Sequence, residues 1–135
     1  MFSNRREPKP TDQIIYIAGS FDLLHLAHIE ILKKAKAMGT FLYVGLWSDD
    51  VVREYKGHNF PIVTLNERVL MILANKYVDD VVIGAPYEIS SDFIKSLNIN
   101  KVVRALHKDE EILEDKLEID GYVIPKQMGI YSEFQ

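Results

Sequence analysis

The sequence contains no cysteine among its 135 residues. Disulfide bonds, thiolate metal sites and a cysteine nucleophile are therefore excluded, and the composition suits an intracellular chain. No apolar run approaches the roughly 20 residues that a transmembrane helix needs, and no signal-like apolar segment follows the charged start of the chain. These absences predict a cytoplasmic protein with no transmembrane segment.

The sequence also lacks an excess of positive charge. Its 16 lysines and arginines stand against 20 acidic residues, which gives a formal net charge of -4. Without an overall positive field, neither nucleic acid nor an anionic membrane surface is expected as a partner. Apolar residues make up 47% of the chain, which is more than a disordered protein carries and is enough for one buried core.

Few apolar residues occur before residue 14. Residues 1–13 contain two prolines and four charges before Thr11, a composition that is typical of a mobile chain end. We therefore predict a flexible N-terminal segment at 1–13 and a single folded domain at 14–135.

Strand and helix patterns alternate along the rest of the chain. Short β-rich apolar runs predict strands at 14–18, 41–46, 81–84, 101–105 and 122–124. Helical spacing of apolar residues predicts helices at 26–38, 48–54, 64–73 and 92–97, with an exposed loop at 55–61. This alternation is typical of a doubly wound, mostly parallel α/β sheet of the Rossmann-like kind, with helices on both faces.

Two further segments carry local signals. Thr64 and Glu67 match a capping box, in which each side chain satisfies a free amide at the start of a helix. Residues 108–120 carry nine charges and predict a solvated helix or loop.

The turn after the first strand is the main candidate site. Gly19 lies between a strand and a helix, where the missing side chain lets backbone amides approach an anion and the helix start offers partial positive charge. Phosphate is the expected ligand. Phe21 is expected to turn into the core, and Asp22 is expected to accept hydrogen bonds from loop amides.

Two histidines follow this turn. His25 and His28 are three residues apart at the start of the helix, so both rings can project toward the same crevice. One of them could instead cap or pack while the other is exposed. A zinc site is the other use of paired histidines, but the chain offers no third ligand at metal-site spacing, so we expect no metal site.

The spacing Gly19-x-Phe21-Asp22-x-x-His25-x-x-His28 resembles the signature of the cytidylyltransferase family within the nucleotidyltransferase superfamily. The resemblance extends through Tyr55-Lys56-Gly57-x-x-x-Pro61, Asn66-Glu67-Arg68 and residues 77–87, and it covers most of residues 14 to 105. Residues 18–25 and 82–87 are most similar to members that use CTP and phosphoethanolamine and that consist of two such domains. Residues 125–131 are similar to their second domain.

The resemblance implies a reaction and a set of site residues. Phosphoethanolamine would attack the α-phosphorus of CTP, and CDP-ethanolamine and pyrophosphate would form. His25 and His28 would stabilise the charge of the leaving pyrophosphate, and Lys56 would act as a mobile cation on the phosphates. Mg²⁺ would accompany the nucleotide. The nucleotide-binding residues would be Ala18, Gly19, Ser20, Phe21, Asp22 and Arg68.

Arg68 and Trp47 each have a second interpretation. Arg68 would support Lys56 or a phosphate, or it pairs with Glu67 or Asp79 at the surface. Trp47 follows the second strand, where it could face a nucleobase, although an aromatic residue at a strand end more often packs.

The chain departs from the family pattern at three places, one of which is Leu106-His107-Lys108-Asp109, where the family has a His-Gly-Asp-Asp-like segment after the fourth strand. Ala27 stands where the family has glycine, and the segment 126–132 lacks the arginine and the leading threonine of the family's phosphate-binding segment. These departures favour an alternative, a non-catalytic or regulatory second domain in a two-domain enzyme. An adenylyltransferase of the same superfamily is a third hypothesis. The resemblance also implies a second cytidylyltransferase domain in cis, or a homodimer.

Overall fold

The computed structural model describes residues 7–22, 26–57, 61–105 and 120–134, and these residues form five parallel strands and five helices. The strands are β1 (Ile14–Gly19), β2 (Phe41–Leu46), β3 (Asp80–Ile83), β4 (Lys101–Ala105) and β5 (Tyr131–Phe134). The helices are α1 (Leu26–Ala37), α2 (Asp49–Lys56), α3 (Leu65–Leu73), α4 (Ser91–Leu97) and α5 (Val123–Gln127). The strand order is β3-β2-β1-β4-β5, and every neighbouring pair is parallel. The predicted fold class is confirmed.

Helices cover both faces of the sheet. On one face, buried residues of α1 and α3, among them Leu32 and Ile72, pack against β1, β2 and β4. On the other face, Ile94 of α4 and the residues around α5 pack against the same strands, with Tyr16 and Phe41 at the centre. The central strands are buried on both sides, which explains why their sequences are continuously apolar rather than alternating.

The order of the strands places a crevice at one end of the sheet. The chain runs outward from β1 to β2 and β3, and it then returns to the other side of β1 for β4 and β5. Crossovers on opposite sides leave a gap between the carboxyl ends of β1 and β4, where ligands bind in doubly wound folds. Gly19 and Ala105 are the last residues of these two strands.

The beginning of β1 is fixed to neighbouring turns. The Ile14 amide donates to Oδ1 of Asn100 at 2.7 Å, and the Asn100 amide donates to the Ile14 carbonyl at 2.8 Å. Just before β1, the Gln13 amide donates to the Thr40 hydroxyl at 2.8 Å. The Thr40 hydroxyl in turn donates to Oδ1 of Asp12 at 2.7 Å. Residues 12 and 13 therefore contact the turn before β2. The flexibility predicted for residues 1–13 stays a prediction, and residues 1–6 lie outside the described residues.

The predicted capping box is wrong. Thr64 lies at the N-cap of α3 with extended backbone angles, but its side chain makes no capping hydrogen bond. The amides just before it, those of Ile62 and Val63, are instead satisfied by a carboxylate from a distant loop. α2 and α4 do carry side-chain caps, from Ser48 and Ser90.

The strand predicted at 122–124 is also wrong. Val123–Gln127 forms helix α5, with Tyr122 at its N-cap and Pro125 at its third position. Proline is tolerated there because the amides of the first helical turn have no intrahelical acceptor. The last strand is β5, which pairs with β4 from Val102↔Tyr131 onward. Of the charged segment 108–120, all but Asp120 lies outside the described residues.

In the parts of the chain that the structure describes, no helix combines the length and the apolar character needed to cross a bilayer.

Candidate nucleotide-binding site

The loop after β1 has a constrained backbone. Phe21 has a φ of 46°, which non-glycine residues rarely adopt, and its side chain is buried in the core. The ring folds back over Gly19, where a Cβ atom would lie only 3.2 Å from Cε2 of Phe21. A side chain at position 19 would therefore press on the Phe21 ring, which favours glycine there. The prediction that Phe21 turns into the core is confirmed.

His28 lies beside this loop. It is half-buried in the first turn of α1, and its ring centroid is 5.6 Å from that of Phe21. His28 and the loop together line a cavity of about 30 Å³ at the gap between β1 and β4, and the complete lining is Ile17, Ala18, Gly19, Ser20, Phe21, His28, Ile31 and Ala105. The structure therefore brings His28 together with four of the predicted nucleotide-binding residues.

His25 lies outside the described residues, so its role stays a prediction. Lys56 is the last residue of α2, although the sequence predicted a loop at this position. The helix ends at Gly57, whose φ of 108° favours glycine and whose amide donates to the Arg53 carbonyl at 2.8 Å. The functional role of Lys56 stays a prediction.

Asp22 joins this loop to the residues before α3. Its two carboxylate oxygens accept hydrogen bonds from the amides of Ile62 and Val63, each at 2.7 Å. Acceptance from loop amides was predicted, but the donors lie 40 and 41 positions further along the chain. Both oxygens are thus engaged within the protein.

Arg68 lies under the loop and is fully buried, with 0% of its surface exposed. Its Nε donates to the Val63 carbonyl at 3.1 Å and one terminal nitrogen donates to the Ser20 carbonyl at 2.8 Å. The other terminal nitrogen forms an ion pair with Oδ1 of Asp49 at 2.8 Å. Surface pairing of Arg68 with Glu67 or Asp79 is therefore wrong, because the side chain turns inward from the first turns of α3.

Asp49 was not singled out by sequence reasoning. Its position after Ser48, at the start of α2, suggests only an acidic residue that favours a helix N-terminus. Asp79, in turn, accepts hydrogen bonds from the Lys36 ammonium at 2.5 Å and from the Leu42 amide at 2.8 Å. It therefore ties α1 to β2, away from Arg68.

Trp47 packs rather than facing open space. It is buried against Val52 and Ala85, and its ring centroid is 5.3 Å from that of Tyr87. Burial raises the pKa of the Tyr87 hydroxyl above its usual value. The packing interpretation of Trp47 is confirmed.

Lys126 and Ser132 lie at the two ends of the segment that departs from the family pattern, and Lys126 is engaged by contacts within the domain. The Lys126 ammonium binds Oδ2 of Asp120 at 2.9 Å and lies 5.0 Å from the centre of the Tyr131 ring. The hydrogen bond from Lys126 is the main cause that lowers the pKa of the Asp120 carboxyl. Ser132 lies in β5, in register with Val103.

A parallel sheet wound in both directions from β1, with a glycine turn and a helix start at its switch point, defines a doubly wound α/β protein of the Rossmann-like kind. A model of the family described as "Cytidylyltransferase-like" matches residues 16–127. The chain belongs to this cytidylyltransferase-like family.

Named relatives agree with this assignment. The chain is 51% identical to the ethanolamine-phosphate cytidylyltransferase of Dictyostelium discoideum and 44% identical to that of Arabidopsis thaliana. The alignments cover 98% and 97% of this chain but 36% and 31% of the relatives. The chain thus spans about a third of the length of these curated relatives.

A solved structure agrees at the level of the fold. The crystal structure of the lipopolysaccharide core biosynthesis protein from Thermoplasma volcanium superposes with a TM-score of 0.67 at 23% identity. The superposition covers 92% of this chain and 97% of that one.

Proposed function

We propose that this domain transfers a cytidylyl group from CTP to phosphoethanolamine, giving CDP-ethanolamine and pyrophosphate. The observation that carries the proposal is the convergence of His28 with Gly19, Ser20 and Phe21 on one cavity at the switch point of the sheet. The identity with ethanolamine-phosphate cytidylyltransferases supports the choice of both substrates.

The reaction requires positioning and charge stabilisation rather than a covalent enzyme intermediate. A phosphate oxygen of phosphoethanolamine forms a bond to the α-phosphorus of CTP while the bond from that phosphorus to the oxygen bridging the α- and β-phosphates breaks, and this oxygen leaves as part of pyrophosphate. Negative charge then builds on the pyrophosphate. Donors that are already in place near that charge lower the barrier, and His28, His25, Lys56 and the loop amides are the candidates.

Mg²⁺ is proposed to accompany the nucleotide, where it would offset phosphate charge. Both carboxylate oxygens of Asp22 already accept amide hydrogen bonds, and the Asp49 carboxylate is paired with Arg68. Within the described residues no three acidic or histidine side chains are grouped as a metal site. The donor set therefore fits a metal ion held chiefly by nucleotide phosphates and water.

A specific observation favours the alternative, a non-catalytic or regulatory domain. Lys126, the cation left in the segment that departs from the family pattern, is paired with Asp120 and lies beside Tyr131. With Ala27 in place of the family glycine, the domain would then serve a catalytic domain in cis or in a homodimer. A cytoplasmic location is part of either proposal.

A turnover assay tests the proposal. The domain is incubated with CTP, phosphoethanolamine and Mg²⁺, and pyrophosphate release is measured for the wild type, His28→Ala and Glu30→Ala. Glu30 is an exposed residue of the same helix and serves as the matched control. We expect His28→Ala to lower kcat about 100-fold, as loss of one charge-stabilising donor does, and Glu30→Ala to leave it unchanged.

Absence of turnover by the wild type would reject independent catalysis. Calorimetric titration with CTP and CDP-ethanolamine then distinguishes a regulatory domain that binds nucleotide, which releases heat, from a domain that binds none. Turnover with ATP in place of CTP would favour the adenylyltransferase hypothesis.

A further inference from the structure

Three segments that are distant in sequence meet beneath the candidate site. They are the loop at 20–22, the start of α2 at Asp49, and residues 62–63 before α3. Arg68 touches all three, through the Ser20 carbonyl, the Asp49 carboxylate and the Val63 carbonyl. Asp22 adds a second link between the first and third segments through the amides of Ile62 and Val63.

Full burial prevents Arg68 from acting as a ligand of the nucleotide. A guanidinium with 0% exposure cannot reach a phosphate outside, and its Nε and both terminal nitrogens already have acceptors within the protein. A buried cation needs a compensating negative charge, which Asp49 supplies at 2.8 Å. Arg68 and Asp49 are therefore a structural pair beneath the site.

The bond from Arg68 to Ser20 also sets the direction of one peptide group. In a trans peptide the carbonyl and the following amide point in opposite directions. Because Arg68 draws the Ser20 carbonyl toward itself, the Phe21 amide points away from the buried guanidinium. Within the described residues, no acceptor binds the amide of Ser20 or Phe21. The Phe21 amide is therefore the candidate donor to an anionic ligand at this loop.

We propose that Asp22, Asp49 and Arg68 act as positioning residues, which hold the loop amides and helix α2 in the geometry that phosphoryl chemistry requires. This inference rests on the proposed function for its effect on rate, but its structural part is independent of it. Misplacement of reacting groups by about 1 Å can cost roughly 100-fold in rate, so small shifts of the loop are sufficient.

A double-mutant cycle tests the pairing of Asp49 with Arg68. Asp49→Asn, Arg68→Lys and the double variant are compared with Asp50→Asn and Arg53→Lys. Asp50 and Arg53 form an ion pair on the same helix, with side chains 85% and 46% exposed, and they serve as matched controls. Pyrophosphate release gives kcat and the KM for CTP.

We expect each single variant at positions 49 and 68 to lower kcat by about 10- to 100-fold with little change in KM. The double variant should be no slower than the slower single variant, because both substitutions break one unit. The controls should remain within about twofold of the wild type, as surface ion pairs contribute little. A tenfold rise in KM for Arg68→Lys, with Asp49→Asn close to wild type, would overturn the proposal in favour of direct phosphate binding.

Amide hydrogen exchange measured by NMR on Asp22→Asn provides a readout that does not require turnover. Asparagine keeps one acceptor oxygen and loses the other, so the amide of either Ile62 or Val63 should exchange at least about tenfold faster. Unchanged exchange at both amides would overturn the structural part of the inference. If the wild type has no turnover, the proposed function fails while this measurement still decides the positioning role. The exchange measurement on Asp22→Asn still tests the structural part of the inference when Arg68→Lys does not fold.

Discussion

Two fully buried side chains, Arg68 of α3 and Tyr16 of β1, differ in how their polar atoms are satisfied. The three donor positions of Arg68 have acceptors, whereas the Tyr16 hydroxyl is fully buried without a hydrogen-bond partner among the residues that the structure describes. A buried polar atom without a partner retains the cost of leaving water. The hydroxyl of Tyr16 therefore lowers the stability that this packed ring would otherwise provide.

Tyr16→Phe removes that hydroxyl and keeps the ring. We expect the free energy of unfolding to rise by about 1 kcal/mol or to stay unchanged, because no hydrogen bond to a described residue is lost. Urea unfolding followed by circular dichroism measures the change. Tyr131→Phe is the control, since the Tyr131 hydroxyl donates to Glu133 at 2.7 Å. A loss of more than about 1 kcal/mol for Tyr16→Phe would reveal a partner such as a buried water.

Gly45 is required by packing rather than by backbone conformation. A Cβ atom at this position would overlap with the Tyr16 hydroxyl and would lie 2.9 Å from Cβ of Ala85. We expect Gly45→Ala to lower the free energy of unfolding by about 1 to 3 kcal/mol, as overpacking of a core does.

Gly129→Ala is the matched control for this prediction. Nothing lies within 4 Å of its Cβ position, but its φ of 74° is unfavourable for alanine. The expected loss is about 1 kcal/mol and arises from conformation alone. A loss at position 45 of less than about 1 kcal/mol, measured by urea unfolding, would contradict the steric explanation.

At the scale of elements, the helix starts fall into two kinds. Ser90 caps α4 with its hydroxyl, which accepts a hydrogen bond from the Phe93 amide at 3.1 Å. Thr64 occupies the same position at α3 but makes no such bond. α3 instead receives its support from Asp22, which binds the two amides that precede the helix. These bonds from a distant loop tie the residues before α3 to the candidate site.

Ser90→Ala and Thr64→Ala should therefore differ. We expect Ser90→Ala to lower the free energy of unfolding by about 1 kcal/mol, the usual cost of losing a side-chain cap. Thr64→Ala should cost less than half as much, since no side-chain bond is lost. Thermal unfolding by calorimetry compares the two variants. A larger loss at Thr64 than at Ser90 would mean that the Thr64 hydroxyl binds an acceptor or donor in solution.

At the scale of the whole molecule, the buried tyrosines make stability depend on pH in the alkaline range. Burial is the main cause that raises the pKa of Tyr16, Tyr43, Tyr87 and Tyr131, in the last case to about 12. In the unfolded chain these hydroxyls ionise near pH 10. Stability is therefore fully present below about pH 10 and is lost as the pH rises toward the folded-state values, because the unfolded chain releases its protons first.

The urea midpoint should accordingly be constant between pH 7 and 9 and should fall between pH 10 and 12. Tyr16→Phe should reduce this fall more than Tyr131→Phe, because the Tyr16 side chain is fully buried and that of Tyr131 only in part. A midpoint that is independent of pH up to 11 would contradict the burial of these hydroxyls.

The elements that the sequence predicts well are those whose local pattern and tertiary role agree. β4 was predicted at 101–105 and is observed at Lys101–Ala105, since the buried β-branched pair Val102 and Val103 suits a strand with neighbours on both sides. The segment 122–124 was mispredicted as a strand. Tyr122, Val123 and Ile124 have strand propensity, yet Tyr122 packs in the core from the start of a short helix. Packing outweighs a local preference of a few tenths of a kcal/mol.

The candidate site shows the same division. The glycine turn, the inward Phe21 and the placement of His28 follow from residues within ten positions of one another, so the sequence predicts their arrangement. Asp49 and Arg68 are 19 positions apart, and Asp22 is 40 or more positions from its donors. No local pattern distinguishes such residues from an ordinary acidic helix start or a surface arginine.

The amino-acid sequence by itself determined the fold class, the position of the glycine turn after β1 and the family, because all three depend on hydrophobic periodicity and on a motif confined to one strand, one turn and one helix. Only the tertiary structure decided that Arg68 is buried, that Asp22 binds the residues before α3, and that Asp49 of α2 is the ion-pair partner of Arg68. The physical reason is that a charge becomes structural only when the folded chain removes it from water and surrounds it with specific partners.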